Sequence, residues 1–500
     1  MLRSYITGIA CLAFLCGGFW VLEYGTRRRR MKVFPQVIDH HKHGIDVEQK
    51  EDRISQLPND LISSIVSRLP MEDAVRTSVL SRRWKHVYTF ISEVRFSCYR
   101  MCSSYPSCYI RNGEKLSQLQ RKFVQVVDNF LQHHSGSKIM SFELASCFRG
   151  CILDSFRRWM DSVGRLRVER LTLVYYFPNH QLQSNPPVFD FDFLPKASSV
   201  KCLRLICVSF RISNQYALKD LELIAAAFTS EAVECILLNC CSLQSLKFRA
   251  CMLPSKLHIR GPDLQLKNLT VINCSNVVEI DLSAVNLTTI ELCTSKMLTL
   301  SFSNVPLLQN FFIETLNRDV APCAFEKVAK DLPHLKCMFF CTDAKFFETC
   351  EIGGVNNLSN LRQLALLLVF HSKLDLLALA TILDACPLLQ KFHLSMGQPS
   401  TFNGERAEKR VFRHHAQLKE VEFSGFSGTE NEYSFISYIL ENVVSLERLS
   451  IFMGFRIYDA NLECWRGIDP NGIDDKKKRG IIRERLQGLT VSKNVEIIIV

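Results

Sequence analysis

The sequence predicts an α+β multidomain chain: a short all-α module near the front, an α/β repeat solenoid behind it, and a small α/β cap at the end. Three observations carry this. Residues 57–84 place apolar side chains at helical spacing between prolines. From residue 243 to residue 451 one phrase, leucine-x-x-leucine-x-leucine or a close variant, keeps returning. Residues 414–451 read as strand, glycine-bearing turn, helix and strand.

The front module comes first. Leu61, Ile62, Ile65, Val66 and Leu69 fall at i, i+1, i+4, i+5 and i+8, a helical stripe. Pro58 suits a first helical turn, where its missing N–H costs nothing, and Asp60 suits the positive end of the helix dipole. Pro70 is expected to stop that helix, since its ring clashes with a continuing turn. A second helix then carries Ala74, Val75, Ser78, Val79 and Leu80, and Trp84 opens a third apolar step. Three such short helices hold more apolar surface than they can bury among themselves.

These residues resemble a plant-type F-box: Leu57-Pro58-x-Asp60-Leu61, then Arg68-Leu69-Pro70, then Asp73-Ala74-Val75-Arg76-Thr77-Ser78-Val79-Leu80-Ser81-Arg82-Arg83-Trp84. The F-box is assigned to residues 51–97. The resemblance implies docking of the helical Skp-type adaptor of Skp–cullin–F-box ubiquitin ligases, and through it of cullin. The implied gripping positions are Leu57, Pro58, Leu61, Ile62, Ile65, Leu69, Pro70, Ala74, Val75, Val79, Leu80 and Trp84. One departure is Val87-Tyr88-Thr89, where the family often has Leu-Trp-Thr; an aromatic is kept. The alternative is that these residues form core against the following domain.

Composition narrows the rest. Five hundred residues suggest two or three units. Apolar residues at 47% and charged ones at 22% give an ordinary globular balance. The net charge of +11 is largely local, in Arg27–Arg30 and in Lys476-Lys477-Lys478-Arg479. No nucleic-acid motif accompanies it, so no nucleic-acid partner is expected. The second run reads as a solvated loop or an import signal. The 21 cysteines include no C-x-x-C, which leaves a zinc site without an anchor. The C-x-x-x-C pairs Cys98/Cys102, Cys147/Cys151 and Cys337/Cys341 read as small buried hydrophobes in a reducing compartment. The paired histidines 40–41, 133–134 and 414–415 have no consistent ligand partner. No nucleotide, metalloprotease or nucleophile-elbow motif occurs. Asp190 and Asp192 alternate with Phe189, Phe191 and Phe193, as on a strand with one wet face. No cofactor, metal or catalytic group is therefore expected.

Residues 1–30 form a hydrophobic segment followed by arginines. Tyr5 to Leu22 carries no charge, at the lower edge of a bilayer span. Four arginines behind it would keep that side cytosolic, making residues 5–24 a signal anchor with residues 27–500 in the cytosol. A cleaved secretory signal would need its charge in front. Translation from Met31 would instead give a soluble protein. The expected location is cytoplasmic or nuclear, with membrane anchoring possible. Asn268, Asn273, Asn286 and Asn357 head glycosylation sequons that test the compartment. Residues 31–50 form a linker.

The body follows. Residues 98–170 read as a mixed connecting region with its clearest helix at Phe123, Val126, Val127, Phe130 and Leu131. Residues 171–400 read as degenerate leucine-rich repeats. The strong copies are Leu243/Leu246/Phe248, Leu361/Leu364/Leu366, Leu389/Phe392/Leu394, Leu418/Val421/Phe423 and Leu446/Leu449/Ile451. Their middle residues 364, 392, 421 and 449 are 28, 29 and 28 apart, the period of a leucine-rich repeat. One repeat cannot bury its own leucines, so several must stack. Between 264 and 313 the step shortens to about ten residues at Leu269, Ile280, Ile290 and Leu300, too short for a helix. Tight β-turn returns are expected there, with Asn273, Cys274, Asn276 and Asn304 at the turns.

Residues 414–451 carry a second resemblance, to the FBD domain of plant F-box proteins. It rests on Leu418-Lys419-x-Val421, Phe423, Gly425-Phe426-x-Gly428, Glu441-Asn442 and Leu446-Glu447-x-Leu449. The FBD domain is assigned to residues 401–500, with a helix from Glu432 to Asn442 and a closing strand at Val495–Val500. Such a module would cap an open sheet edge. The two resemblances together imply a non-enzymatic substrate receptor of a ubiquitin ligase, whose repeats recruit an unknown protein target. The alternative is a membrane-tethered scaffold that binds the adaptor without delivering a substrate.

Overall fold

The computed structural model describes residues 56–69, 71–80, 83–98, 113–136, 138–146, 151–175, 188–190, 198–212, 214–261, 263–294, 298–315, 327–344, 358–369, 373–398, 402, 415–459, 464–468, 476–489 and 495–500. The hydrophobic segment 5–24, the arginine run, the 31–50 linker and Pro70 lie outside the described residues. Among the described residues, no helix is long and apolar enough to cross a membrane. The chain forms two compact units. One takes in residues up to 228 with 238–243 and 250–252; the other comprises 229–237, 244–249 and 253–500.

The first unit opens with α1 (Asn59–Val66), α2 (Met71–Arg76) and two 3₁₀ segments, Thr77–Val79 and Trp84–Phe90. Pro58 stands at the cap of α1, just ahead of the first turn, and its carbonyl accepts from the Leu61 and Ile62 amides at 3.1 Å. The second helix is shorter than its apolar pattern predicts. It tightens to 3₁₀ after Arg76.

Next come β1 (Glu93–Ser97), α3 (Gly113–His133), β2 (Ser141–Ser146), α4 (Cys151–Arg165), β3 (Arg170–Tyr175), β4 (Val188–Asp190), β5 (Cys202–Ile206), β6 (Ser209–Arg211) and β7 (Asp220–Ile224). Strands β1, β2, β3, β5 and β7 pair in parallel, while β4 pairs with β6 in a small separate sheet. Val94, Phe142, Leu171, Leu203 and Leu221 stand in register, all buried. The ladder therefore begins at Glu93, and the region expected to connect two domains already holds rungs of it. Helix α3 buries Phe123, Val127, Phe130 and Leu131. It is tied to α4 by Asp128, which accepts from the Trp159 indole and from Arg158, each at 2.7 Å.

The second unit holds most of α5 (Ser230–Asn239), then β8 (Ser245–Arg249), β9 (Lys256–Arg260), β10 (Asn268–Ile272), β11 (Glu279–Ser283), β12 (Thr289–Cys293), β13 (Thr299–Asn304) and β14 (Asn310–Glu314). No helix separates β9 to β14, as the short spacing predicts. The ten-residue step is only half a coil, however. Strands β8, β10, β12 and β14 form one parallel wall, and β9, β11 and β13 form another. Leu269, Ile290 and Phe311 share the first wall; Leu257, Ile280 and Leu300 share the second. Asn273 and Asn276 take left-handed backbone at the turns, with φ of 52° and 71°. Asn304 lies instead at the end of β13, where the register slips.

Beyond this run the helical returns resume. The elements are β15 (Cys337–Thr342), β16 (Gln363–Leu368), α6 (Ala380–Asp384), β17 (Lys391–Met396), β18 (Glu420–Ser424), α7 (Glu430–Asn442), β19 (Arg448–Phe452), the hairpin strands β20 (Phe455–Asp459) and β21 (Cys464–Ile468), α8 (Lys476–Leu489) and β22 (Glu496–Ile499). Strands β14 to β19 continue in parallel, and β22 closes on β19. Met338, Leu364, Phe392, Val421, Leu449 and Ile497 stand in register, which is the predicted repeat. A capping box fixes α7: the Thr429 hydroxyl accepts from the Glu432 amide, and the Glu432 carboxylate accepts from the Thr429 amide at 2.9 Å. The basic run at 476–479 opens α8 and is not a loop. Ile482 and Leu486 supply that helix's buried face, and the Arg485 guanidinium lies 3.9 Å from the centre of the Tyr433 ring.

One backbone device recurs. The residue following a strand is left-handed at Cys207, Ala225, Ala250, Asn273 and Gly425. At Gly425 a side chain would also run into the Met396 carbonyl oxygen, so glycine is required there by close approach as well as by φ.

Candidate functional site

Helix α1 shows how the front module divides its apolar residues. Ile62 and Val66, four apart, are fully buried, and Ala74, Trp84 and Val87 are buried as well. Leu61 and Ile65 are also four apart and lie on the adjoining stripe. They face solvent, with Leu61 52% exposed. The single stripe of the sequence is thus two stripes, one facing in and one facing out.

The outward set extends beyond α1. Val79 is 84% exposed and Leu80 65%, while Leu69 and Val75 are exposed to about the same degree as Ile65. Pro58 is exposed and Leu57 is half-buried. Of the twelve positions implied by the resemblance, eight are therefore at least partly open to solvent. Ile62, Ala74 and Trp84 are buried. Pro70 lies outside the described residues. Phe90, which the sequence reading passed over, is 51% exposed and belongs with the outward set.

Arg83 organises the start of this surface. Its guanidinium donates to the Leu57 carbonyl and to Asn59 Oδ1 at 2.8 and 3.1 Å. A charge-assisted link between the third segment and the entry to α1 fixes where Leu57 and Pro58 sit. The sequence signal for this was present, since Arg83 falls inside the matched motif, but its partner is 24 residues away. Arg76 pairs with Asp73 at 3.1 Å, a local and exposed contact. Such surface pairs add little stability. A small element that leaves this many large aliphatic side chains in water marks an interaction surface.

Chemistry of other kinds has no comparable site. Among the described residues, no group of three metal-ligating side chains is found. Burial pushes the Cys337 thiol up to about 11 and raises the Cys341 thiol well above its usual range, so both stay protonated. Thiols in that state are poor ligands and poor nucleophiles.

Comparison with known proteins agrees with this geometry. The F-box domain matches residues 54–87, the segment that carries the open surface. The family described as At1g61320/AtMIF1, LRR domain, matches residues 130–469. The chain belongs to this leucine-rich-repeat family and carries an F-box. The match runs to residue 469 and so takes in most of the segment read as an FBD domain. The putative F-box/LRR-repeat protein At3g58880 of Arabidopsis thaliana is 23% identical over 80% of this chain and 92% of its own length. The F-box/FBD/LRR-repeat protein At1g13570 of the same plant is 22% identical over 83% of this chain and 94% of its own. Over a shorter stretch, 19% of this chain and 18% of the relative, the FBD-associated F-box protein At5g27750 is 36% identical.

Proposed function

We propose that this F-box/leucine-rich-repeat chain is the substrate-receptor subunit of a Skp–cullin–F-box ubiquitin ligase. The observation that carries the reading is the bare aliphatic surface of Leu61, Ile65, Val79 and Leu80, which an adaptor helix would cover. Leu57, Pro58, Leu69 and Val75 extend the contact. Ile62, Ala74 and Trp84 act by holding α1 and α2 in position. Cullin joins through the adaptor, and the repeats hold a protein target for ubiquitin transfer by the other subunits. The chain's own contribution is proximity, with no covalent step. The C-terminal segment, read as an FBD domain, serves as the cap that pairs β22 over the last repeat edge.

Co-purification tests this. Leu61→Asp with Val79→Asp is expected to weaken capture of a Skp-type adaptor at least a hundredfold, about 3 kcal/mol. The melting temperature is expected to move by no more than a degree or two, since both side chains are already exposed. Retention of the adaptor by this variant would refute the reading. Glycosylation at Asn268, Asn273, Asn286 or Asn357 would place the body of the chain in a lumen and remove it from the adaptor's compartment.

A further inference from the structure

The strands of the second unit alternate between an inner row, buried in the core, and an outer row. In β12 the outer residues are half-open, as in an ordinary one-sided sheet. In β15 and β16 part of that row is covered. Phe339, Cys341 and Leu367 lie on the outer row and are nevertheless buried. Phe455 of the β20–β21 hairpin packs against this cluster.

Among the described residues, β20 is seated by contacts to β17 and β18. The Ser395 hydroxyl of β17 donates to the Arg456 carbonyl at 2.7 Å. The Arg456 guanidinium is ion-paired with Glu422 of β18 and lies 4.6 Å from the centre of the Phe452 ring. Among the described residues, strand β20 pairs antiparallel with β21 and belongs to no other sheet. An element whose backbone is not paired into the ladder can leave a surface without opening the ladder beneath it. What it would uncover is an apolar cleft next to a carboxylate and a hydroxyl.

We propose that strand β20 is an internal stand-in for the target. It occupies the outer face of β15–β18. The target displaces it with an extended segment that presents an aromatic side chain beside a cation, in the places of Phe455 and Arg456. The aromatic ring fills the Phe339/Cys341/Leu367 cleft, the cation meets Glu422, and a main-chain carbonyl accepts from Ser395. This rests on the reading of the chain as a receptor and gives that reading a site and a target chemistry.

The test uses the full chain together with its adaptor and a labelled peptide of residues 453–460, Met-Gly-Phe-Arg-Ile-Tyr-Asp-Ala. Fluorescence anisotropy is expected to show the peptide binding at least tenfold more tightly to a variant whose residues 455–468 are replaced by a Gly-Ser linker than to the parent. Glu422→Gln in that variant, or glutamate for arginine in the peptide, is expected to abolish the gain. Equal binding to parent and variant overturns the proposal. Should the linker variant not fold, Phe455→Ser with Arg456→Ser in the full chain takes its place, read by amide exchange. Hairpin amides are expected to exchange at least tenfold faster while β16–β18 are unchanged; equal acceleration in β16–β18 overturns the proposal. Adaptor capture is measured in parallel. Its loss in the parent strikes the receptor reading, whereas failure of the peptide alone strikes only the hairpin.

Discussion

Two apolar surfaces of this molecule are treated in opposite ways. In the first unit, Leu61, Ile65, Val79 and Leu80 are left in water on a module whose core is complete without them. In the second, Phe339, Cys341 and Leu367 sit on the outer row, which is half-open in β12, yet the chain folds Phe455 over them. The first surface is bare and built on rigid short helices. The second is covered by a strand that is paired outside the ladder beneath it. On the proposed readings, the difference separates a surface kept for an external partner from one on which the chain supplies its own occupant.

The comparison can be broken most strongly at the core beneath the bare surface. Trp84→Ala removes a buried indole and is expected to cost about 3–5 kcal/mol. Amide exchange across α1 should rise to that of an unfolded segment, and adaptor capture should vanish with it. The solvent-facing pair Leu61 and Val79 should lose capture alone. If Trp84→Ala left α1 protected, the division into core and docking residues would be wrong.

A smaller effect is expected at Gly425, which ends the strand carrying Glu422. Its φ of 76° and the nearby Met396 carbonyl leave no room for a methyl group. Gly425→Ala should destabilise the second unit by about 1–3 kcal/mol. A calorimetric scan that showed no change would mean that this turn is free to move.

The smallest effect is electrostatic and sharpens the account of the covered surface. His393 lies on the outer row of β17, 3.4 Å from Glu422. Burial first, and the Arg456 charge second, hold its imidazole neutral down to about 3. In the unfolded chain it takes up a proton near pH 6.5. Between those values the unfolded state binds more protons. The contribution is therefore complete above about pH 6.5 and is lost as the pH falls toward 3, by up to about 1.4 kcal/mol per unit. Burial raises the Glu422 carboxyl, which works in the opposite sense over the upper part of that window. Comparison with His393→Gln isolates the histidine. Denaturant titrations at stepped pH should show a shallower acid slope for the variant, and identical slopes would mean that His393 is open to water.

Much of this was legible in the residues. The 28- and 29-residue steps fix the register of Leu364, Phe392, Val421 and Leu449, because a repeat must present the same inner residue at the same height. The ten-residue step did exclude helices. It did not reveal two walls, since Leu269 and Ile280 sit in strands of the same one-sided pattern and only three-dimensional closure assigns them to different sheets. Phe142 acts as a repeat leucine, but a 21-residue α3 between β1 and β2 hid the first rungs from any search by period. The inward and outward stripes of α1 differ by one residue of phase, which a stripe alone does not resolve. The covered face did leave a trace: Cys337-Met338-Phe339-Phe340-Cys341 is apolar without alternation, as expected of a strand buried on both sides. What covered it was unreadable, since the hairpin comes more than a hundred residues later.

The left-handed residue after the strand has an engineering consequence. At Ala225 and Ala250 a side chain accepts a backbone shape that costs an alanine roughly 1–2 kcal/mol. Asparagine, already used for the same bend at Asn273, tolerates it better. The ends of the rungs are thus handles by which a hardier protein could be made for crystallisation, without altering either surface that meets another molecule.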